Sequence, residues 1–92
     1  MDSKWFEFLR KISDDARLNV WHMAIAVAII HLAVAQGDQN IIRVSRSKLM
    51  KKSHIKTIPT YHKYFKELQL FGYTKYTPSY HPRGMSYIEI FY

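Results

Sequence analysis

The chain contains no cysteine. That excludes a disulfide framework and any thiolate metal site. Its three glycines are isolated from one another, so there is no Gly-rich loop to cradle a phosphate. No His-Glu-x-x-His pair and no Gly-x-Ser-x-Gly elbow occurs, and the only adjacent carboxylates, Asp14 and Asp15, read as cap residues. The sequence therefore argues against an enzyme, a cofactor or a metal site. The first twenty residues carry charges throughout and hold no apolar core, which argues against a secretory leader and fits a cytoplasmic protein. The longest apolar run, Val20 to Ala35, has 16 residues and is interrupted by His22 and His31. A membrane span needs about 20 apolar residues, so a buried helix is expected there and no membrane partner.

Acidic residues are scarce in one half. Residues 1–40 carry four Lys or Arg against five Asp or Glu, whereas residues 41–92 carry ten against two. All of the net +7 thus belongs to the second half. Excess charge so segregated points to a polyanionic partner, either nucleic acid or an anionic membrane surface.

At 92 residues one domain is expected over 1–92, with a core helped by seven Tyr, five Phe and two Trp. A first helix over Lys4–Ile12 carries Trp5, Phe8, Leu9 and Ile12 on one stripe, and residues 1–17 are a candidate dimerisation element. Asn19 suits the N-cap of a helix over Val20–Gln36, and Gly37 its C-terminal stop. Trp21, Ile25, Ile29 and Leu32 form one apolar stripe of that helix, and Met23, Val27, Ile30 and Val34 another, so it should be buried all round. Cover on the second side would come from the first helix or from a partner subunit.

Ile41–Val44 reads as a short strand. Ser45 caps a helix over Arg46–Lys52, and Leu49 and Met50 face inward. Residues 53–56 form a turn. Thr57 and Pro59 then open a helix to Phe71 that stops at Gly72. Ile58, Tyr61, Phe65 and Leu68 make its inner face, and Pro59, Thr60, Lys63 and Lys66 its outer face. Strands over Tyr73–Thr77 and Met85–Phe91 flank a loop at residues 78–84. The expected class is mainly α with a small antiparallel sheet: a winged helix-turn-helix preceded by an extra N-terminal helix.

That order points to double-stranded DNA. The helix at 58–71 is the candidate for the major groove, with Thr57, Pro59, Thr60 and Lys63 as base-reading candidates near its N-terminus. Arg43, Arg46, Lys48, Lys51, Lys52, Lys56 and Lys66 are phosphate candidates, which supply affinity and salt dependence without sequence choice. Tyr80, His81 and Arg83 mark the wing, where Arg83 is the candidate for a narrow minor groove. The alternatives are a protein-interaction winged helix and an accessory DNA-binding factor for replication or excision of a mobile element.

Thr60-Tyr61-His62-Lys63, Lys66-Glu67-Leu68, Gly72-Tyr73, Lys75-Tyr76 and Pro78-Ser79-Tyr80 resemble small winged-helix regulators of bacterial conjugative transposons and related mobile elements. The resemblance covers Asn19 to Tyr92. It implies a regulatory role in the bacterial cytoplasm, often as a homodimer, with Tyr61 and His62 on the recognition helix and Pro78-Ser79-Tyr80 in the wing. Thr74 departs from it, standing where such proteins more often carry an aliphatic residue. Weaker inner packing of the first wing strand is therefore expected.

Overall fold

A computed structural model describes residues 3–79 and 86–92. Four helices, α1 (Ser3–Asp14), α2 (Val20–Ala35), α3 (Arg46–Ser53) and α4 (Ile58–Leu70), accompany a sheet of β1 (Ile41–Val44), β2 (Thr74–Thr77) and β3 (Ser86–Ile90). The class is α+β, mainly helical, with a three-stranded antiparallel sheet of order β1-β3-β2. Among the described residues no helix is long and apolar enough to cross a membrane.

The buried side chains form one connected core. Trp5, Phe8 and Ile12 of α1 join Ile25 and Ile29 of α2, Leu49 of α3, Tyr61, Phe65 and Leu68 of α4, and Ile42, Ile88 and Ile90 of the sheet. The aromatic stripe of α1 is therefore consumed by its own chain, and of its rings Phe6 alone is left exposed. Trp5 also donates from Nε1 to Asp38 Oδ1 at 2.9 Å, which pins the turn after α2. That turn contains Gly37 at φ 88° and Asp38 at φ 62°, a left-handed pair that ends the helix.

α2 is not buried all round. Ile25, Ala26, Ile29 and Ala33 are sealed, but Trp21, Val27 and Val34 are 41%, 49% and 46% exposed. The chain has enough elements to cover the inner side and the α1 side of this helix, and nothing among the described residues covers the remaining stripe. Its N-terminus has a reciprocal cap: Asn19 Oδ1 accepts from Trp21 N–H, while His22 Nδ1 accepts from Asn19 N–H at 2.9 Å.

β1 is an edge strand, and its free edge is closed by a side chain. Gln36 Nε2 donates to the Arg43 carbonyl at 2.8 Å, and the Arg43 N–H donates to Gln36 Oε1 at 2.9 Å. That pairing takes up backbone groups that would otherwise invite another strand. β3 is central, with Ile42 opposite Ile88 on one side and Tyr76 opposite Ile88 on the other. Thr74, opposite Ile90, is 3% exposed, and its Oγ1 finds no hydrogen-bond partner among the described residues. At this buried position a valine would bring a methyl where Thr74 brings a hydroxyl.

Asp15 is more than a cap. It accepts from the Arg17 backbone N–H at 3.0 Å, pairs with the Arg17 guanidinium, and accepts from Tyr73 Oη at 2.7 Å. These bonds hold its carboxyl far below the usual carboxylate range, the Arg17 side chain acting most strongly and Tyr73 next. Burial, then the bond to Asp15, raises the Tyr73 phenol above its ordinary value. Through this pair the segment after α1 is tied to the start of the hairpin.

Candidate nucleic-acid interface

α3 and α4 are joined by a tight turn in which His54 takes the left-handed conformation, φ 61°. Ser45 caps α3 by accepting from Lys48 N–H at 3.2 Å. Thr57 occupies the N-cap of α4 without a side-chain cap bond, and its hydroxyl donates to Thr60 Oγ1 at 2.7 Å. Pro59 stands in the first turn, where its missing N–H is not needed. Among the described residues no side chain caps the remaining N–H groups of that turn.

Tyr61, Phe65 and Leu68 seat α4 against the core, and Ile58, expected inside, is 45% exposed. It belongs to the first turn, ahead of the point where the helix meets the core. Pro59, His62, Lys63, Lys66 and Leu70 are exposed. At 100° per residue these five share one face. Thr60 departs from the expected outer face. It is half-buried and borders a recess with Trp21, Lys56 and Thr57, on the side where α4 meets α2.

Glu67, the sole acid of α4, lies on that same side. Its Oε1 is 2.9 Å from His22 Nε2, and His22 is 1% exposed. Since Asn19 N–H occupies Nδ1, the ring hydrogen sits on Nε2 and points at the carboxylate. Next to this pair, Tyr64 stacks on Trp21 with centroids 6.1 Å apart, and Lys63 Nζ lies 5.2 Å from the Tyr64 ring centre. The Lys63 ammonium thus leans from the outer face toward α2.

On the opposite flank of α4 runs an open groove of about 790 Å³. Arg46 and Ser47 from α3, His62, Lys66 and Gln69 from α4, and Tyr76 from β2 form its walls, over a floor of Tyr61 and Phe65. Tyr61 and Phe65 stack 5.1 Å apart, and Tyr76 meets Phe65 edge-on at 5.2 Å. Burial pushes the Tyr61 phenol well above its ordinary value, aided by Tyr76 and opposed by the positive charge of Arg46.

The expected phosphate contacts fall into separate settings. Arg46 and Lys66 share the groove beside α4. Lys56 stands at the N-terminus of α4. Lys48, Lys51 and Lys52 border a second depression, between α2 and α3, with His31 and His54; Lys52 Nζ lies 3.1 Å from His31 Nδ1. Arg43 is elsewhere, pointing to the solvent side of the sheet from the position opposite Tyr87, while its neighbours Ile42 and Val44 point inward. Strand alternation compels this, since successive side chains face opposite ways. Tyr80, His81 and Arg83 lie outside the described residues.

His62, which the base-reading candidates leave out, stands in the groove wall. Its signal was available, because it falls three after Pro59 and four before Lys66 on the exposed stripe. Gln69, seven residues after His62, carried the same signal; Tyr76 carried none, and only the packing of β2 beside α4 brings it to the groove. Among the described residues no group of three His, Asp or Glu side chains converges on a metal-sized site.

No family model, curated protein or solved structure matches this chain.

Proposed function

We propose that the chain is a winged helix-turn-helix protein that binds double-stranded DNA as a sequence-specific transcriptional regulator. α4 enters the major groove, and the β2–β3 hairpin lies along the adjacent backbone. Support comes first from the element order, in which two helices joined by a tight turn lead into an antiparallel hairpin that pairs with an earlier strand.

One observation carries the reading. The only carboxylate of α4 is drawn inward to His22, so the outward face of this helix bears His62, Lys63 and Lys66 and no negative charge. Beside it, the groove between Arg46 and Lys66 supplies two cations and a hydroxyl-bearing floor along which a sugar–phosphate strand can run. The uncapped N–H groups at the start of α4, with Lys56 next to them, suit a second phosphate. In this arrangement Lys63, Pro59 and His62 are nearest the base edges, and Thr60 acts by holding Thr57 in place.

Selection of bound duplexes from a random pool, at two salt concentrations, tests the proposal. A reader of sequence enriches a motif and loses affinity steeply as salt rises. Absence of duplex binding at low salt would overturn it in favour of a protein-binding winged helix. Salt-sensitive binding without an enriched motif would reassign it to an accessory DNA-binding factor.

A further inference from the structure

The groove beside α4 contains a donor with nothing to donate to. Tyr61 is 3% exposed, and its hydroxyl has no hydrogen-bond partner among the described residues. The other phenol of the groove is used, since Tyr76 Oη donates to Ser86 Oγ at 2.9 Å. Gln69 is engaged as well, its Nε2 donating to the Phe65 carbonyl. An O–H group kept from water without an acceptor is costly, so a buried one left unbonded calls for an explanation. Thr74 Oγ1 is the one polar side-chain atom, among the described residues, that is both sealed and unbonded. The Tyr61 hydroxyl therefore keeps an opening, and the space that Tyr61 lines is the groove. Arg46, in the groove wall, lies close enough for its positive charge to act on this phenol.

The rest of the groove limits what can accept from that hydroxyl. Arg46 and Lys66 are its cations, and no Asp or Glu is among the described residues that line it. Its floor is aromatic, with Tyr61 stacked on Phe65 and Tyr76 edge-on to Phe65. Its volume of about 790 Å³ is that of a small-molecule cleft, which joins apolar and aromatic walls to a few fixed polar groups. Two cations match the nearly double charge of a phosphate monoester better than the single charge of a carboxylate or of a DNA diester. A strand passing along the groove is also part of a stiff duplex, so the rim cations meet its phosphates and no single oxygen is let down onto one point of the floor. A free molecule has no such restraint. We infer that the groove binds a small aromatic phosphate monoester, one phosphate oxygen accepting from the Tyr61 hydroxyl and from Arg46 while the ring lies against Phe65 and Tyr76. Lys66, from the α4 wall, supplies the second positive charge. Charge-assisted bonds of this kind are the strong ones. The site does not depend on DNA binding. Its regulatory consequence does rest on that reading: the ligand occupies Arg46 and Lys66, so ligand and duplex exclude one another, each weakening the other's binding by the same factor.

Titration of the full chain with phenyl phosphate, followed by amide NMR shifts, tests the site. Saturable binding is expected, with shifts gathered at Arg46, Tyr61, Lys66 and Gln69. Inorganic phosphate and phenol, each of which keeps half of the probe, should bind about tenfold more weakly. Tyr61→Phe retains the ring and its stacking and removes only the unbonded hydroxyl. It should fold with undiminished stability and bind phenyl phosphate about tenfold more weakly, the loss of one hydrogen bond to a charged group. Equal affinity of the variant and the wild type would overturn the role of the hydroxyl. A less stable variant would mean that the hydroxyl is bonded within the fold, which is equally fatal. Inorganic phosphate binding as tightly as phenyl phosphate would reduce the groove to a bare anion site and overturn the aromatic ligand. Shifts gathered instead at Lys48, Lys51 and Lys52 would overturn the location. Phenyl phosphate should also displace a bound duplex from the wild type at lower concentration than from Tyr61→Phe. A chain that binds phenyl phosphate but no duplex sinks the DNA reading alone, and one that binds duplex but not phenyl phosphate sinks this site alone.

Discussion

His22 Nε2 and Glu67 Oε1 lie 2.9 Å apart although 45 residues separate them in the chain. The contact fastens α4 to α2 and disposes of the one acid that would otherwise oppose an anionic ligand on α4. Glu67→Ala leaves the Nε2–H of a buried ring without an acceptor, at a cost of about 1–3 kcal/mol. Urea denaturation should show that loss, and Glu67→Gln, which keeps an acceptor oxygen, should restore most of it. Equal stability of the alanine variant and the wild type would remove the contact from the account of how α4 is held.

Thr74 offers the opposite case. Its buried hydroxyl has no partner among the described residues, so Thr74→Val exchanges an unsatisfied polar atom for a methyl of the same size. The variant should be more stable by about 1–2 kcal/mol. For a domain of this length the melting temperature should rise by roughly 4–8 °C per kcal/mol. A lower melting temperature would mean that the hydroxyl is bonded.

The Asp15 carboxyl is held far below its ordinary range by the Arg17 side chain and by Tyr73. A carboxyl whose folded pKa is depressed contributes its stabilisation in full above its unfolded pKa, near 4. The contribution then declines as pH falls from there toward the folded value. Asp15→Asn should therefore lower stability at neutral pH and flatten the acid side of the stability profile below about pH 5. Parallel profiles for the variant and wild type, measured by denaturant titration at several pH values, would contradict this.

On DNA, Arg46→Ala and Lys66→Ala should weaken binding alike on every sequence, each reducing the salt slope by about 1. Lys63→Ala should instead cost ~1–3 kcal/mol on the preferred site and relax one position. A uniform loss for Lys63→Ala would make it a phosphate contact. His62→Ala, at an exposed position between Pro59 and Lys66, should change the preferred motif more than the salt slope. Anisotropy titrations of matched and scrambled duplexes separate these outcomes.

Much of the fold was legible because it rests on short-range rules. Asn19 and Ser45 at helix starts, Gly37 and Gly72 at helix ends, and the alternation of Ile88 and Ile90 with their neighbours each act within a few residues. Strand and helix bounds accordingly differ from expectation by only one or two positions. The α4 face was half legible. Helical period set Lys63 and Lys66 outward, but Thr60 turned aside because its hydroxyl serves Thr57 and its side of the helix meets Trp21.

By itself the sequence determined the helix and strand periods, the caps, the segregation of positive charge and the lack of any cysteine chemistry, all properties that require no knowledge of neighbours distant in the chain. Tertiary structure alone decided that Glu67 faces His22 and that, among the described residues, one side of α2 stays uncovered. Those outcomes depend on which surfaces meet across dozens of residues. An apolar side chain states that it avoids water, but not whether its own chain is large enough to cover it.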